Sequence, residues 1–419
     1  MLTTLHRVAT ILLATGIILI GHGLQISLLP VYARNADWSA SSIGYIGSSY
    51  FLGFVVGCIR NPRVVASVGH IRSFTVMASL ACTALLAAGL IVHVFAWILL
   101  RFAFGFAMAG MYMVIESWLS SITPRSQRSR VLAVYTMICL LGIALGQSLM
   151  ALETEPSLML FMVAAMFTAL SIIPVGLTQI STPEPVPAVE FSPRALLRAS
   201  EVALVVSALA GMATGVYWSL GPLLGQSLGM TSGQVGLFIG VGVLGGALVQ
   251  IPVGYFADRV DRRRIIAITA CAGLLFAVVA MFAVGSGTPS VFLFVGMFAT
   301  GAAIMPLYAL CIGHANDYSD LSLVEITSSV LVVNGIGSIF GPIFAGLVMQ
   351  WFGAGAFFAY IAVVLAAIAG WAIYRQFVVE RKPHTAEATP VLPRTTQAVA
   401  DLSTVTTEMR GVDSDDKRP

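Results

Sequence analysis

Residues 254 to 264 read Gly254-Tyr255-Phe256-Ala257-Asp258-Arg259-Val260-Asp261-Arg262-Arg263-Arg264, two acids and four arginines between apolar runs near 235–257 and 265–285. About 20 apolar residues suffice to cross a bilayer as a helix, so this gap reads as a tight turn at a membrane surface. Arginines collect on cytoplasmic turns. A glycine there lets helices approach, and an Asp at a helix end holds arginines and favours the next helix N-terminus. Gly254, Asp258, Arg259, Arg262 and Arg263 are therefore candidate members of a gating latch.

The same alternation runs through the chain. Of 419 residues, 58% are hydrophobic and 10% charged, and the mean hydropathy is +0.92. An ordinary soluble domain is about a quarter charged, so most of these apolar residues must face lipid. The fold class expected is an all-α polytopic membrane protein of about 12 spans, near 8–31, 43–59, 74–95, 96–119, 131–152, 157–179, 201–224, 235–257, 265–285, 289–312, 325–349 and 354–376. The run from Arg7 to about Leu29 is too long for a signal core and reads as an uncleaved first helix.

The longest internal polar gap holds Pro183, Pro185, Pro187 and Pro193, as an extended linker would. We expect an N-terminal six-helix bundle over 1–180, a linker over 181–200, a C-terminal bundle over 201–376, and a disordered tail over 377–419. Basic residues fill the even-numbered gaps (Arg60, Arg63 and Arg72; Arg125, Arg128 and Arg130; Arg194 and Arg198; Arg259 to Arg264), whereas the odd-numbered gaps hold only Arg34. That asymmetry places both termini in the cytoplasm, with the chain in a bacterial inner membrane as the expected setting.

The chain also repeats itself. A slide of 192 positions pairs Ser27 with Ser219, Pro30 with Pro222, Gly44 with Gly236, Gly53 with Gly245 and Arg72 with Arg264; a slide of 196 pairs Gly105 with Gly301 and Tyr112 with Tyr308. Two parallel six-helix repeats are the plan of one large transporter class.

The 254–264 turn resembles the Gly-x-x-x-Asp-Arg-x-Gly-Arg-Arg signature of the major facilitator superfamily, with Asp261 in place of the second glycine. The first-half counterpart, Pro62 to Arg72, keeps Gly69 and Arg72 but has Ala66 where the acid would fall. A latch there would need another acid, and Glu116 is the candidate. The Tyr112–Leu119 stretch is similar to the YcaD-like branch of the superfamily. The resemblance covers about residues 8–376 and implies a central site reached alternately from each side of the membrane.

The fourth span carries Arg101, Gly105, Met108, Tyr112 and Glu116 on one helical stripe. Arg101 and Glu116 lie roughly 22 Å apart along the axis and so serve different depths. Arg101 with Gly105 resembles the family's Arg-x-x-x-Gly motif, linked there to proton coupling in drug antiporters. The fifth span has Gly142, Gly146 and then Gln147, where such antiporters carry proline, and this departure puts antiport in doubt. An ionisable residue within a span is costly and faces a cavity or a partner. His22, in the first span with Gln25 three residues on, is a candidate proton carrier because imidazole titrates near neutrality; a neutral, hydrogen-bonded histidine is the alternative. Gln147, Tyr217, Trp218, Tyr308 and Asn334 complete the polar and aromatic candidates for a substrate pathway.

Other chemistries fall away. The only lysines, Lys382 and Lys417, lie in the tail, so no Gly-x-x-x-x-Gly-Lys phosphate loop exists and no ATP site is expected. Dispersed arginines argue against nucleic acid. The five cysteines lack metal or disulfide spacing, so neither a metal nor another cofactor is expected. Gly225-Gln226-Ser227-Leu228-Gly229 matches a hydrolase elbow by chance, since it follows a span rather than a strand. Gly313 to Asp317 reads as an inner-face loop. The expected function is a secondary active transporter, not an enzyme, whose partners are a small-molecule solute, protons and the lipid bilayer. Multidrug efflux and a transport-inactive membrane sensor or scaffold are the alternatives.

Overall fold

A computed structural model describes residues 2–123, 127–153, 155–178, 196–198, 200–285, 290–319, 321 and 323–378. Most of the linker and the tail from residue 379 lie outside the described residues. Within them, twelve helices are long and apolar enough to span a membrane. They are α1 (Leu2–Asn35), α2 (Ala40–Val68), α3 (His70–Leu90), α4 (Val94–Ile122), α5 (Arg128–Ser148, prolonged by a 3-10 turn to Leu152), α6 (Leu158–Leu170, continued by Ile172–Gly176), α7 (Glu201–Ser227), α8 (Ser232–Ala257), α9 (Arg262–Val284), α10 (Val291–Asp317), α11 (Leu323–Phe352) and α12 (Ala356–Val378).

Two polar stretches expected as turns are helical. Arg60, Asn61 and Arg63 belong to the last turns of α2, where the Asn61 amide donates to the Phe106 carbonyl of α4 at 3.0 Å. Gly313 to Asp317 ends α10 rather than forming a loop.

Local chemistry sets the helix ends. Ser39 caps α2 by accepting from the Ser42 amide, and Ser200 caps α7 by accepting from the Ala203 amide. Thr231 and Gln234 cap α8 reciprocally. The two equivalent α2–α3 and α8–α9 turns are built differently. Gly69 takes a left-handed φ of 83°, which glycine adopts without steric cost. Its counterpart Asp261 has φ −50° and instead caps α9, its carboxylate accepting from the Arg263 amide at 2.8 Å. The second-half turn therefore needs no glycine at that position.

The repeat is visible in the packing. A Cβ on Gly53 would strike the Phe102 carbonyl oxygen, and one on Gly105 the Tyr50 carbonyl oxygen, across the α2–α4 seam. Gly245 against Phe298 and Gly301 against Gly242 reproduce both contacts across α8–α10. Likewise Gly142 and Gly146 meet the carbonyls of Gly16 and Ile20 on α1, as Gly337 and Gly341 meet those of Ala208 and Met212 on α7. Small residues at these crossings let the backbones approach closely.

The halves meet at the end holding the α1–α2 and α7–α8 turns. There Gly44 abuts the Pro342 carbonyl, Gly236 the Gln147 carbonyl and Gly346 the backbone of Ala40 and Ser41. The Gln226 amide donates to Asn35 across the same end.

Candidate functional site

Between the halves lies a cavity of about 410 Å³. Its lining residues at the joined end are buried, as at Ile26 (7% exposed) and Ser219 (5%). Met137 and Ile251, which also line it, are 62% and 71% exposed. The cavity is thus closed at one end and open beside α5 and α8.

Helices α1, α2 and α4 bring three sequence candidates into one cluster. Arg101 donates through Nη1 to the Gln25 side-chain oxygen, and the Gln25 amide nitrogen lies 3.1 Å from His22 Nδ1. The guanidinium sits 4.7 Å from the centroid of the Tyr50 ring, an arrangement that attracts a cation to the ring face. His22 stacks on Tyr50 and on Phe104 at 5.9 and 6.0 Å. His22, Tyr50 and Arg101 all border the cavity. Among the described residues no carboxylate forms a salt bridge with Arg101, and its buried Nε has no hydrogen-bond partner.

Tyr112, Trp218, Tyr308 and Asn334 also line the cavity, so the repeat-related tyrosines face it from opposite halves. The Asn334 amide donates to the Ser207 carbonyl at 3.1 Å.

Three candidates lie elsewhere. Tyr217 is fully buried and donates to the Ile239 carbonyl at 2.6 Å, tying α7 to α8. Gln147 accepts from the Ser27 hydroxyl at 2.5 Å, tying α5 to α1. Glu116 is buried between α4 and α5 and accepts from the Tyr135 hydroxyl at 2.8 Å. Arg72 is exposed at the start of α3, and the Arg130 side chain lies outside the described residues.

The α8–α9 turn braces its own half. Arg262 pairs with Asp258 at 3.2 Å and with Asp317 of α10 at 2.6 Å. Arg263 pairs with Asp261 at 2.8 Å and donates to the Arg375 carbonyl of α12. Arg375 in turn pairs with Glu201 of α7 at 2.5 Å. Arg259 lies over the Tyr255 ring, 3.4 Å from its centroid. Partial burial acts to raise the Asp261 carboxyl, but its hydrogen bonds and charge interaction with Arg263 outweigh that and hold it below the usual carboxylate range. Burial and the nearby Asp261 charge raise the Tyr318 hydroxyl. Among the described residues a Cβ on Gly254 would meet nothing within 4 Å, so no described helix approaches closely there.

Reasoning from sequence passed over Tyr50, Tyr135 and Gln250. Gln250 lines the cavity from α8, and the 192 slide carries it back to Cys58, so the repeat offers no signal for it. Among the described residues no group of three or more His, Cys, Asp or Glu is placed to hold a metal.

Among the described residues, twelve spanning helices in two repeats around a cavity with one arginine in its wall define a membrane transporter. The Major Facilitator Superfamily model matches residues 11–202 and again 203–407, and the chain belongs to that family. It is an integral multi-pass membrane protein. It is similar to an uncharacterized MFS-type transporter YcaD of Shigella flexneri serotype 5b (strain 8401), at 27% identity over 84% of this chain and 92% of the relative. The nucleoside transporter NupG shares the fold, with a TM-score of 0.71 at 16% identity over 89% of this chain and all of that one. So does the Escherichia coli fucose:proton symporter FucP, at 0.55 and 14% over 89% of this chain and 99% of that one.

Proposed function

We propose that this chain carries a small organic solute across a bacterial inner membrane by alternating access, coupled to protons. The carrying observation is the cavity itself, closed where the halves touch and open beside α5 and α8, with Tyr112 and Tyr308 facing it from the two repeats. The arginine asymmetry supports a cytoplasmic side for the open end and for both termini. Rocking one six-helix half on the other moves the opening to the opposite face. Support for coupling comes from titratable groups at two depths. His22 borders the cavity beside Gln25 and Arg101, and Glu116 lies buried against Tyr135. The proton-coupled activity in FucP's name adds to this reading.

The test is transport into proteoliposomes. The purified chain is reconstituted with an internal pH dye, and sugars, nucleosides, amino acids and organic acids are added in turn. One chemical class is expected to drive proton movement, and an imposed pH gradient is expected to drive accumulation of that class. Accumulation indifferent to the gradient would refute coupling, and no flux of any class would refute the carrier.

A further inference from the structure

We infer that the cavity selects organic monoanions, the acid group seated against Arg101 and the body against the aromatic and aliphatic wall. This rests on the carrier reading and adds the charge of the cargo. Among the described residues, Arg101 is the one cavity-lining residue with a permanent charge. Its side chain is committed in part, because Nη1 donates to Gln25 while Gln25 is held from behind by His22. Tyr50 offers the guanidinium a ring face but no acceptor for its N–H groups in that contact. A guanidinium has five N–H donors in a fixed fork that matches a carboxylate. Here the buried Nε is left without a partner, and no salt bridge to Arg101 exists among the described residues.

A half-buried cation without an anion is costly, and the cost is removed when a ligand supplies the charge. Among the described residues no Asp or Glu lines the cavity, so a cationic solute would meet Arg101 with nothing there to offset its own charge. One arginine balances one negative charge, which favours a monoanion over a dianion. The rest of the wall sets the body of the ligand. Phe51, Phe54 and Trp218 provide ring surfaces, and Ile304 and Met305 provide aliphatic ones.

The experiment uses the purified full chain at pH 7 and two matched series, benzoate, benzamide and benzylamine, and hexanoate, hexanamide and hexylamine. Binding is read by calorimetric titration. At least one acid is expected to bind on the order of tenfold to a hundredfold more tightly than its own amide, the range of a charge-assisted hydrogen bond. The amine is expected to bind less tightly than either. Arg101→Gln should bring the acid to the level of the amide, with the unfolding midpoint of the free protein unchanged, which shows the fold intact. Arg101→Lys should restore part of the preference. Amides that bind as tightly as acids would overturn the inference, as would an acid preference that survives Arg101→Gln. If amides are bound and also taken up by proteoliposomes, the carrier stands without the anion preference. If none of the six compounds binds and the solute panel shows no flux, both readings fall.

Discussion

Alanine at Gly53 would place its Cβ against the Phe102 carbonyl oxygen, a backbone atom that cannot turn aside as a side-chain end can. Either α2 and α4 separate or a helical carbonyl tilts out of its hydrogen bond. Overpacking of this kind costs about 1–3 kcal/mol. The same substitution in a helix gains roughly 0.5–1 kcal/mol from propensity alone. Gly240 and Gly370 isolate the second effect, because a Cβ there meets nothing within 4 Å. The gain is common to both groups, so the seam variants Gly53→Ala, Gly105→Ala, Gly245→Ala and Gly301→Ala should fall below Gly240→Ala and Gly370→Ala by the overpacking cost of about 1–3 kcal/mol. Pairs should reveal the geometry further. Gly53 and Gly105 share one seam, so their double variant should cost less than the sum, whereas Gly53 with Gly245, in separate halves, should add. The assay is the unfolding midpoint of purified protein, followed by tryptophan fluorescence. Seam variants as stable as the two controls would refute the close crossing of these helices and, with it, the structural correspondence of the repeats.

Two further outcomes are expected. An added Cβ at Gly346 lies 3.2 Å from the Ser41 Cα, so Ser41→Cys with Gly346→Cys, in a background lacking the native cysteines, should form a disulfide on oxidation. Uptake should stop in the oxidised protein and return on reduction; uptake unaffected by complete cross-linking would refute a rocking motion that opens this end. At the α8–α9 turn, the Asp261 carboxyl is held low, so its contribution is present above the unfolded value of about 3.9 and is lost as pH falls through the folded value. The stability gap between the native chain and Asp261→Asn should therefore close below about pH 4, and a gap unchanged down to pH 3 would contradict the Arg263 anchor.

The spans were legible because lipid demands long apolar runs and the turns between them hold charge. The errors at Arg60–Arg63 and Gly313–Asp317 share a cause. Both helix ends are polar yet stay helical, one through the Asn61 contact with Phe106 and the other through Asp317 pairing with Arg262. For the site, residue type was readable and partnership was not. His22, Gln25 and Arg101 each stood out, but their meeting depends on how α1 crosses α4, which no local pattern encodes. Tyr217 and Gln147 looked equally suited to a cavity, and in the structure each ties two helices together. Tyr50 and Tyr135 were missed because a tyrosine within a span carries the same local signal whether it sits in an interfacial belt, a ring stack or against a buried acid.

The repeat makes the chemistry of the cavity one-sided in a way that can be traced position by position. Slides of 192 and 196 carry His22 to Thr214, Gln25 to Tyr217, Tyr50 to Gly242 and Arg101 to Met297, while Tyr112 remains a tyrosine as Tyr308. The backbone crossings at these positions are reproduced, since Gly105 faces the carbonyl of Tyr50 as Gly301 faces that of Gly242. The side chains have diverged. A Cβ at Gly242 would collide with the Tyr217 hydroxyl, so the tyrosine occupies the space that a residue like Tyr50 would need. Met297 is fully buried where the first half presents a cation. The second half has thus closed, with its own tyrosine and methionine, the place that the first half keeps charged. A solute held at Arg101, as proposed, would be gripped by one half and enclosed by the other. In the proposed carrier, that asymmetry would let a single charged contact travel with the first half while the second half rocks across it.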